Sequence, residues 1–516
     1  MARARVQAHL DGLGTLIGEE ADEASEAAGS REPAGLGGSR ASAGVHVYRG
    51  VPFAAPPVGE ARFRPPRPPL PWDGVRDARA FASAAPQPLG QYGAAPVPID
   101  EDCLYLNVHA PAEPGPHPVL VWVHGGGYTS GSSFDELQDG AAFAREGIVT
   151  VTVAYRLGAL GLLHLRHLLG PDHATSSTNA LLDVVAALRW VREHIAAFGG
   201  DPGRVTLGGV SAGAKLTATL LALPAARGLF HRAIVQSGGA RTVRTVAEAE
   251  RVTGYVLDAL DLAPDRADRL AHVPVAELIA AQEEAGGRFP GRFAFRPVVD
   301  PEGPLPCAPS QAIRGDTPLL LGSNQDEEQL FAAMERGGRR ARERDAEAAD
   351  LANTDPAALP GLIAAYAGLH PELDPARRRI ALLSAESYGI PTTRLAEAQA
   401  AAGGDAYLYR FRWAANAHPQ HLGSPHGIDI PFVFGTFDTQ FARWLTAGAP
   451  PSARALSRHM RAAWAAFVEG GAPAADGLPA WPPYTPDTRR TMVLDVPAAV
   501  VGDPDREERL AWEHAM

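Results

Sequence analysis

Short apolar runs rich in β-branched residues recur along the chain, separated by longer stretches whose apolar positions fall three or four residues apart. The short runs predict strands at Val119–Val123, Ile148–Ala154, Arg204–Leu207, Ala233–Gln236, Leu319–Leu321, Ala406–Phe411 and Thr491–Leu494. The longer spacing predicts helices over Ala180–Phe198 and Ser452–Glu469, each stopped by a pair of glycines. Strands alternating with helices imply a mainly parallel sheet flanked by helices, an α/β fold. Glu19–Gly44 is rich in Gly, Ala, Ser and Glu, and reads as a flexible surface loop. Residues 242–282 and 336–402 have helical spacing and are expected as elaborations over or beside the sheet. No repeat and no Gly/Ser linker divides the chain, so a single domain over residues 1–516 is expected.

Composition removes several classes. A net charge of −12 argues against a broad nucleic-acid footprint. Apolar stretches such as Pro118–Val123 are shorter than about ten residues, and a membrane span needs about 18. The start MARARVQAHLDGLG has arginines without an apolar run behind them, so it fails as a secretory signal. A cytoplasmic protein is expected. Among 47 Lys+Arg, only Lys215 is a lysine. Two cysteines cannot staple a chain of 516 residues.

Candidate chemistry begins at Gly209-Val210-Ser211-Ala212-Gly213, between the strand RVTLG and the helical run AKLTATLLAL. A sharp strand-to-helix turn holds a serine hydroxyl clear of the sheet, and glycines on either side remove Cβ clashes. By itself G-x-S-x-G is weak: about a few tenths of a match arise by chance in such a composition. An ordinary glycine-rich turn is the competing reading. His124-Gly125-Gly126-Gly127 follows the strand PVLVWV, and its backbone N–H groups, with that of Ala212, can bind an oxyanion. Each such donor stabilises the transition state by about 3 kcal/mol. No Lys-Ser/Thr follows the glycines, which disfavours a phosphate cradle. His124 reads as a residue holding the loop, not as a base.

Several ordered segments then carry a resemblance. Tyr48–Arg64 (YRGVPFAAPPVGEARFR), Glu101–Val108 (EDCLYLNV), Ala154–Leu162 (AYRLGALGL), Phe198–Gly213 (FGGDPGRVTLGGVSAG), Gln236-Ser237-Gly238, Phe295–Asp300 (FRPVVD), Trp481-Pro482 and Asp503–Trp512 stand in the order of the type-B carboxylesterase/cholinesterase family. The chain resembles that family, in its bacterial para-nitrobenzyl-esterase-like form, almost end to end. The resemblance implies an α/β-hydrolase fold. It places the triad acid at Glu327 in Gly322–Gln329 (GSNQDEEQ), where Glu328 stands for the usual glycine and Asp326 and Glu328 remain alternatives. It places the base at His426 in His426-Gly427-Ile428-Asp429-Ile430-Pro431, and a second polar layer at Ser237 and Asp429.

The implied activity is carboxylic ester hydrolysis through an acyl-enzyme. Ser211 is the expected nucleophile, activated by His426, and Glu327 orients the imidazole. Gly126, Gly127 and Ala212 form the oxyanion hole. No metal or organic cofactor is required. The expected partner is a small-molecule ester, with no nucleic acid or membrane, and the chain is a monomer or weak homo-oligomer. Two positions depart from the family: Val210 replaces a usual Glu, and Val184 a usual Gln. These favour, as alternatives, an acyltransferase, lactonase or cyclase on the same scaffold. A non-catalytic binding protein is the remaining rival. Ala85 stands where the family often has a cysteine, which leaves Cys103 without its usual disulfide partner.

Overall fold

Seven strands buried on both faces form one contiguous parallel block in the computed structural model. In spatial order they are Val149–Val153, His117–Val123, Gly200–Val210, Arg232–Gln236, Leu319–Asn324, Ala406–Phe411 and Arg490–Leu494. They are the seven runs predicted from the sequence, with ends moved by a few residues. The structure describes residues 4–21, 44–88, 98–334, 350–418, 420–513 and 515.

Alternation along each strand sorts side chains into two apolar layers. Val119, Val121, Val123, Ala233, Val235, Leu319 and Leu321 enter one core, together with Leu181, Val185 and Leu188 of helix Asn179–His194. Leu120, Trp122, Ile234 and Leu320 enter the other, together with Leu456, Met460, Trp464 and Phe467 of helix Pro451–Gly470. Strands covered on both faces read as continuous apolar runs, which is why the sequence exposed them.

The sheet continues where no strand was expected. Tyr105–Pro111, Val45–Pro52, Gly14–Ala21 and Arg5–Leu10 extend one edge by antiparallel pairing. Ala499–Gly502 closes the other edge. With Val75–Asp77 beside Gly14–Ala21, the sheet has thirteen strands among the described residues. Arg5–Leu10 is half-solvated and interspersed with polar residues, and Ala499–Gly502 is only four residues long and largely exposed, so their apolar signal is thin.

This corrects the loop assigned to Glu19–Gly44. Glu19–Ala21 is the end of a strand, paired with Val45–Val47, and Glu19 accepts a hydrogen bond from Arg49 at 2.5 Å. Residues 22–43 lie outside the described residues.

The region 242–282 folds as helix Val246–Ala259, a 3-10 stretch Pro264–His272 and helix Val275–Arg288. Thr245 and Glu248 cap the first helix reciprocally. Of 336–402, residues 336–349 lie outside the described residues. The rest supplies helices Leu359–Leu369, Pro375–Ser384 and Ile390–Ala401, the last two joined through a π-helical turn, Ala385–Gly389. No helix among the described residues is long and apolar enough to cross a membrane.

One buried ion pair ties this frame together. Arg156, after strand Val149–Val153, meets Asp183 of helix Asn179–His194 at 2.7 Å, and both are almost fully buried. The same guanidinium donates to the carbonyls of Arg62 and Arg64, which anchors the segment after Val45–Pro52.

Candidate active site

Ser211 sits at the junction of strand Gly200–Val210 and helix Ala212–Leu220, with φ 56° and ψ −120°. Such a backbone is strained for a residue with a side chain, and it persists because the turn is fixed on both sides. The Ser211 N–H donates to Gln236 O at 2.9 Å, and its carbonyl accepts from Lys215 N at 2.9 Å. Gly213 is required by close approach: a Cβ there would lie 2.0 Å from Val123 O. The helix therefore rests directly on the neighbouring strand, with its N-terminal N–H groups beside the serine.

The glycine loop lies against this turn. A Cβ on Gly125 would fall 3.0 Å from Ser211 Cβ, so loop and serine are in contact. Gly126 takes φ 114°, and its carbonyl accepts from Thr129 N, Ser130 N and Ser130 Oγ. Among the described residues, the N–H groups of Gly126 and Gly127 have no backbone acceptor. Ala212 N is the first helical N–H and has no intrahelical partner either. His124 stacks on Tyr155 at 4.5 Å, and its Nδ1 bonds Gly125 O at 2.7 Å. Burial pushes its pKa down to about 4, so it stays neutral and holds the loop.

Glu327 and His426 come together across 99 residues of sequence. His426 Nδ1 lies 2.5 Å from Glu327 Oε2, and the carboxylate is fully buried. The other oxygen accepts from Asn324 N at 2.8 Å, and Glu327 O accepts from His426 N at 3.1 Å. An imidazole held this way donates from Nδ1 and leaves Nε2 free to accept. No hydrogen bond joins Ser211 Oγ to His426 among the described residues; such bonds often tighten only with substrate bound.

The three consecutive acids are now distinguished. Asp326 accepts from Ser424 N at 2.9 Å and so braces the loop that leads to His426. Glu328 pairs with Arg292, and its N–H donates to Ser384 Oγ at 3.0 Å. Only Glu327 faces the imidazole. Replacing the usual glycine by Glu328 is thus matched by a partly buried arginine.

Asp429 sits behind these groups. It accepts from Gln236 Nε2 at 2.9 Å, Asn324 Nδ2 at 3.2 Å and Tyr409 OH at 3.0 Å. Burial, and then the nearby Glu327, raise its pKa. Ser237, with φ 52°, is fully buried, and its Oγ has no partner among the described residues. Val210 is buried in the apolar layer that includes Trp122 and Ile234.

Sequence reasoning missed the surrounding aromatics. Tyr388 lies 4.8 Å and Phe331 5.2 Å from the His426 ring. Tyr388 belongs to the π-helical turn, a feature frequent at functional sites. Lys215 Nζ stands over the Tyr388 and Phe293 rings. Its signal was available: the sole lysine occurs one helical turn after the candidate nucleophile. Elsewhere, His164, His167 and Glu250 bring possible metal ligand atoms within 4.8 Å of one another.

Comparison with known proteins bears on this arrangement. The model of the carboxylesterase family matches residues 35–512. The chain belongs to the carboxylesterase family. It is 36% identical over 478 residues to the para-nitrobenzyl esterase of Bacillus subtilis, covering 90% of this chain and 94% of that protein. To the phenmedipham hydrolase of Pseudarthrobacter oxydans it is 34% identical over 487 residues, with 91% and 95% covered. The crystal structure of a Geobacillus stearothermophilus carboxylesterase superposes with a TM-score of 0.83 at 34% identity, covering 99% of this chain and 100% of that one. This carboxylesterase is accordingly an α/β-hydrolase whose family activity is ester hydrolysis.

Proposed function

We propose that the chain hydrolyses carboxylic esters through a covalent acyl-enzyme with Ser211 as nucleophile. His426 Nε2 takes the serine proton as Oγ attacks the ester carbonyl, then gives it to the departing alcohol. Glu327 fixes the imidazole tautomer and stabilises its transient positive charge. The N–H groups of Gly126, Gly127 and Ala212 receive the oxyanion. In the second half-reaction His426 activates water, which releases the acid and restores the serine.

The observation that most supports this reading is the 2.5 Å bond from a fully buried Glu327 to His426, since it leaves Nε2 as the acceptor. The strained turn at Ser211 and the contact with the glycine loop support it further. Asp429 and Ser237 serve as the second polar layer, Asp429 by holding Asn324 and Gln236. The name of the para-nitrobenzyl esterase relative makes small aromatic esters natural trial substrates.

The test is hydrolysis of p-nitrophenyl butyrate by wild type and Ser211→Ala, with peptide mapping of a fluorophosphonate adduct. Activity should vanish in a folded variant, and the label should map to Ser211. A burst retained in Ser211→Ala, or labelling elsewhere, would overturn the assignment.

A further inference from the structure

We propose that Lys215 recognises a carboxylate on the acyl part of the substrate, so that the enzyme favours half-esters of dicarboxylic acids. This rests on the esterase reading above and names the substrate class of that same site.

Lys215 lies four residues after Ser211, on the same face of helix Ala212–Leu220. Helical side chains lean toward the N-terminus, so its four-carbon stem is directed back toward the serine. The residue is 2% exposed. Its Nζ is 4.6 Å from the Tyr388 ring centroid and 4.9 Å from that of Phe293. Tyr388 packs on His426, while Phe293 Cε1 comes within 3.3 Å of where a Cβ on Gly127 would stand. The ammonium is therefore bracketed between the ring against the base and the ring beside the oxyanion loop. In the proposed complex the acyl chain leaves Ser211 along the Phe293 side, and its distal carboxylate meets the ammonium.

The charges around it leave one vacancy. Arg292 is paired with Glu328. Arg296 donates to the carbonyls of Arg292, Phe293 and Ala352. Glu386 is taken up by the N–H groups of Ala352 and Asn353 and the hydroxyls of Thr354 and Ser387. Three cations thus face two carboxylates, both engaged elsewhere. The Lys215 ammonium makes neither hydrogen bond nor ion pair with any described residue. Aromatic faces attract a cation but do not neutralise it. Burial first, and then the two arginines, push its pKa down to about 7. A carboxylate beside it would complete the pair and restore the full charge.

The experiment compares kcat/KM for monoethyl adipate and ethyl hexanoate, matched in acyl length, in wild type and Lys215→Met. The ratio of half-ester to neutral ester should fall about ten- to hundredfold in the variant, mainly through KM. In wild type alone, the ratio should decline from pH 6 to 8.5 as the ammonium loses its proton. The adipate carboxylate, with a pKa of about 4.3, stays ionised throughout. Protonation of His426 is common to both esters and cancels in the ratio. A ratio unchanged by the substitution, or flat with pH in wild type, overturns the proposal. If ethyl hexanoate and p-nitrophenyl butyrate are turned over without that preference, this inference alone fails. If no ester is hydrolysed, the esterase reading fails and takes this one with it.

Discussion

Removing the carboxylate of Asp183 strands a buried cation. Asp183 accepts from Arg156 Nη2 at 2.7 Å, Nε at 2.9 Å and the backbone N at 3.0 Å. Only Nη1 has acceptors besides, the carbonyls of Arg62 and Arg64. Asp183→Ala thus leaves three buried donors without an acceptor. Each costs about 1–3 kcal/mol, and breaking a buried pair costs about 3–5 kcal/mol in total. We expect a loss near 4 kcal/mol, large against a typical stability of about 5–15 kcal/mol. The double substitution Arg156→Met with Asp183→Leu removes the stranded charge as well, and should recover most of that loss. Urea denaturation of wild type, Asp183→Leu, Arg156→Met and the double variant completes the cycle, with Asp183→Ala measured beside it. An Asp183→Ala protein within about 1 kcal/mol of wild type would refute the reasoning. So would a double variant no more stable than the single ones.

Glu327→Gln keeps the shape of the acid but not its charge, and should lower kcat by about 10³- to 10⁴-fold with little change in KM; an unchanged kcat rejects Glu327 as the acid. Val210→Glu puts a carboxyl into the apolar layer beside Trp122, so its folded pKa rises above the unfolded value of about 4.3. The resulting instability is absent below that pH and grows by about 1.4 kcal/mol per unit above it, up to the folded pKa. Denaturation at pH 5 and 8 should therefore show a wider gap from wild type at pH 8, and equal gaps contradict the argument. Cys103 and Cys307 are free thiols, so a reducing agent should leave Tm unchanged. Burial pushes the Cys103 thiol up, so a disulfide reagent should modify one thiol in the native protein, not two.

What could be read from the sequence follows burial. Strands such as His117–Val123, covered on both faces, were legible as unbroken apolar runs. Arg5–Leu10 and Ala499–Gly502 were not, because one face or more meets water and pairing depends on a neighbour, not on local pattern. At the site, the motifs pointed to Ser211, Glu327 and His426 but left Asp326 and Glu328 as alternatives to Glu327. That choice depends on where each side chain turns, and on Arg292 and Ser424, which lie tens of residues away in sequence. The aromatic surroundings of Lys215 are a product of the tertiary fold alone. Phe293 and Tyr388 belong to no common motif and lie 95 residues apart in sequence.

A side effect of the near-exclusive use of arginine as the strongly basic residue concerns chemical handling. Reagents that acylate or reductively alkylate amines spare guanidinium groups, and Lys215 is the sole lysine among 516 residues. Apart from the α-amino group of the chain, the one target for such reagents lies between the Tyr388 and Phe293 rings, 2% exposed. The rate at which an amine-directed dye labels Lys215, separated from the α-amino group by peptide mapping, therefore reports how readily a reagent reaches the space between those two rings, with no engineered probe.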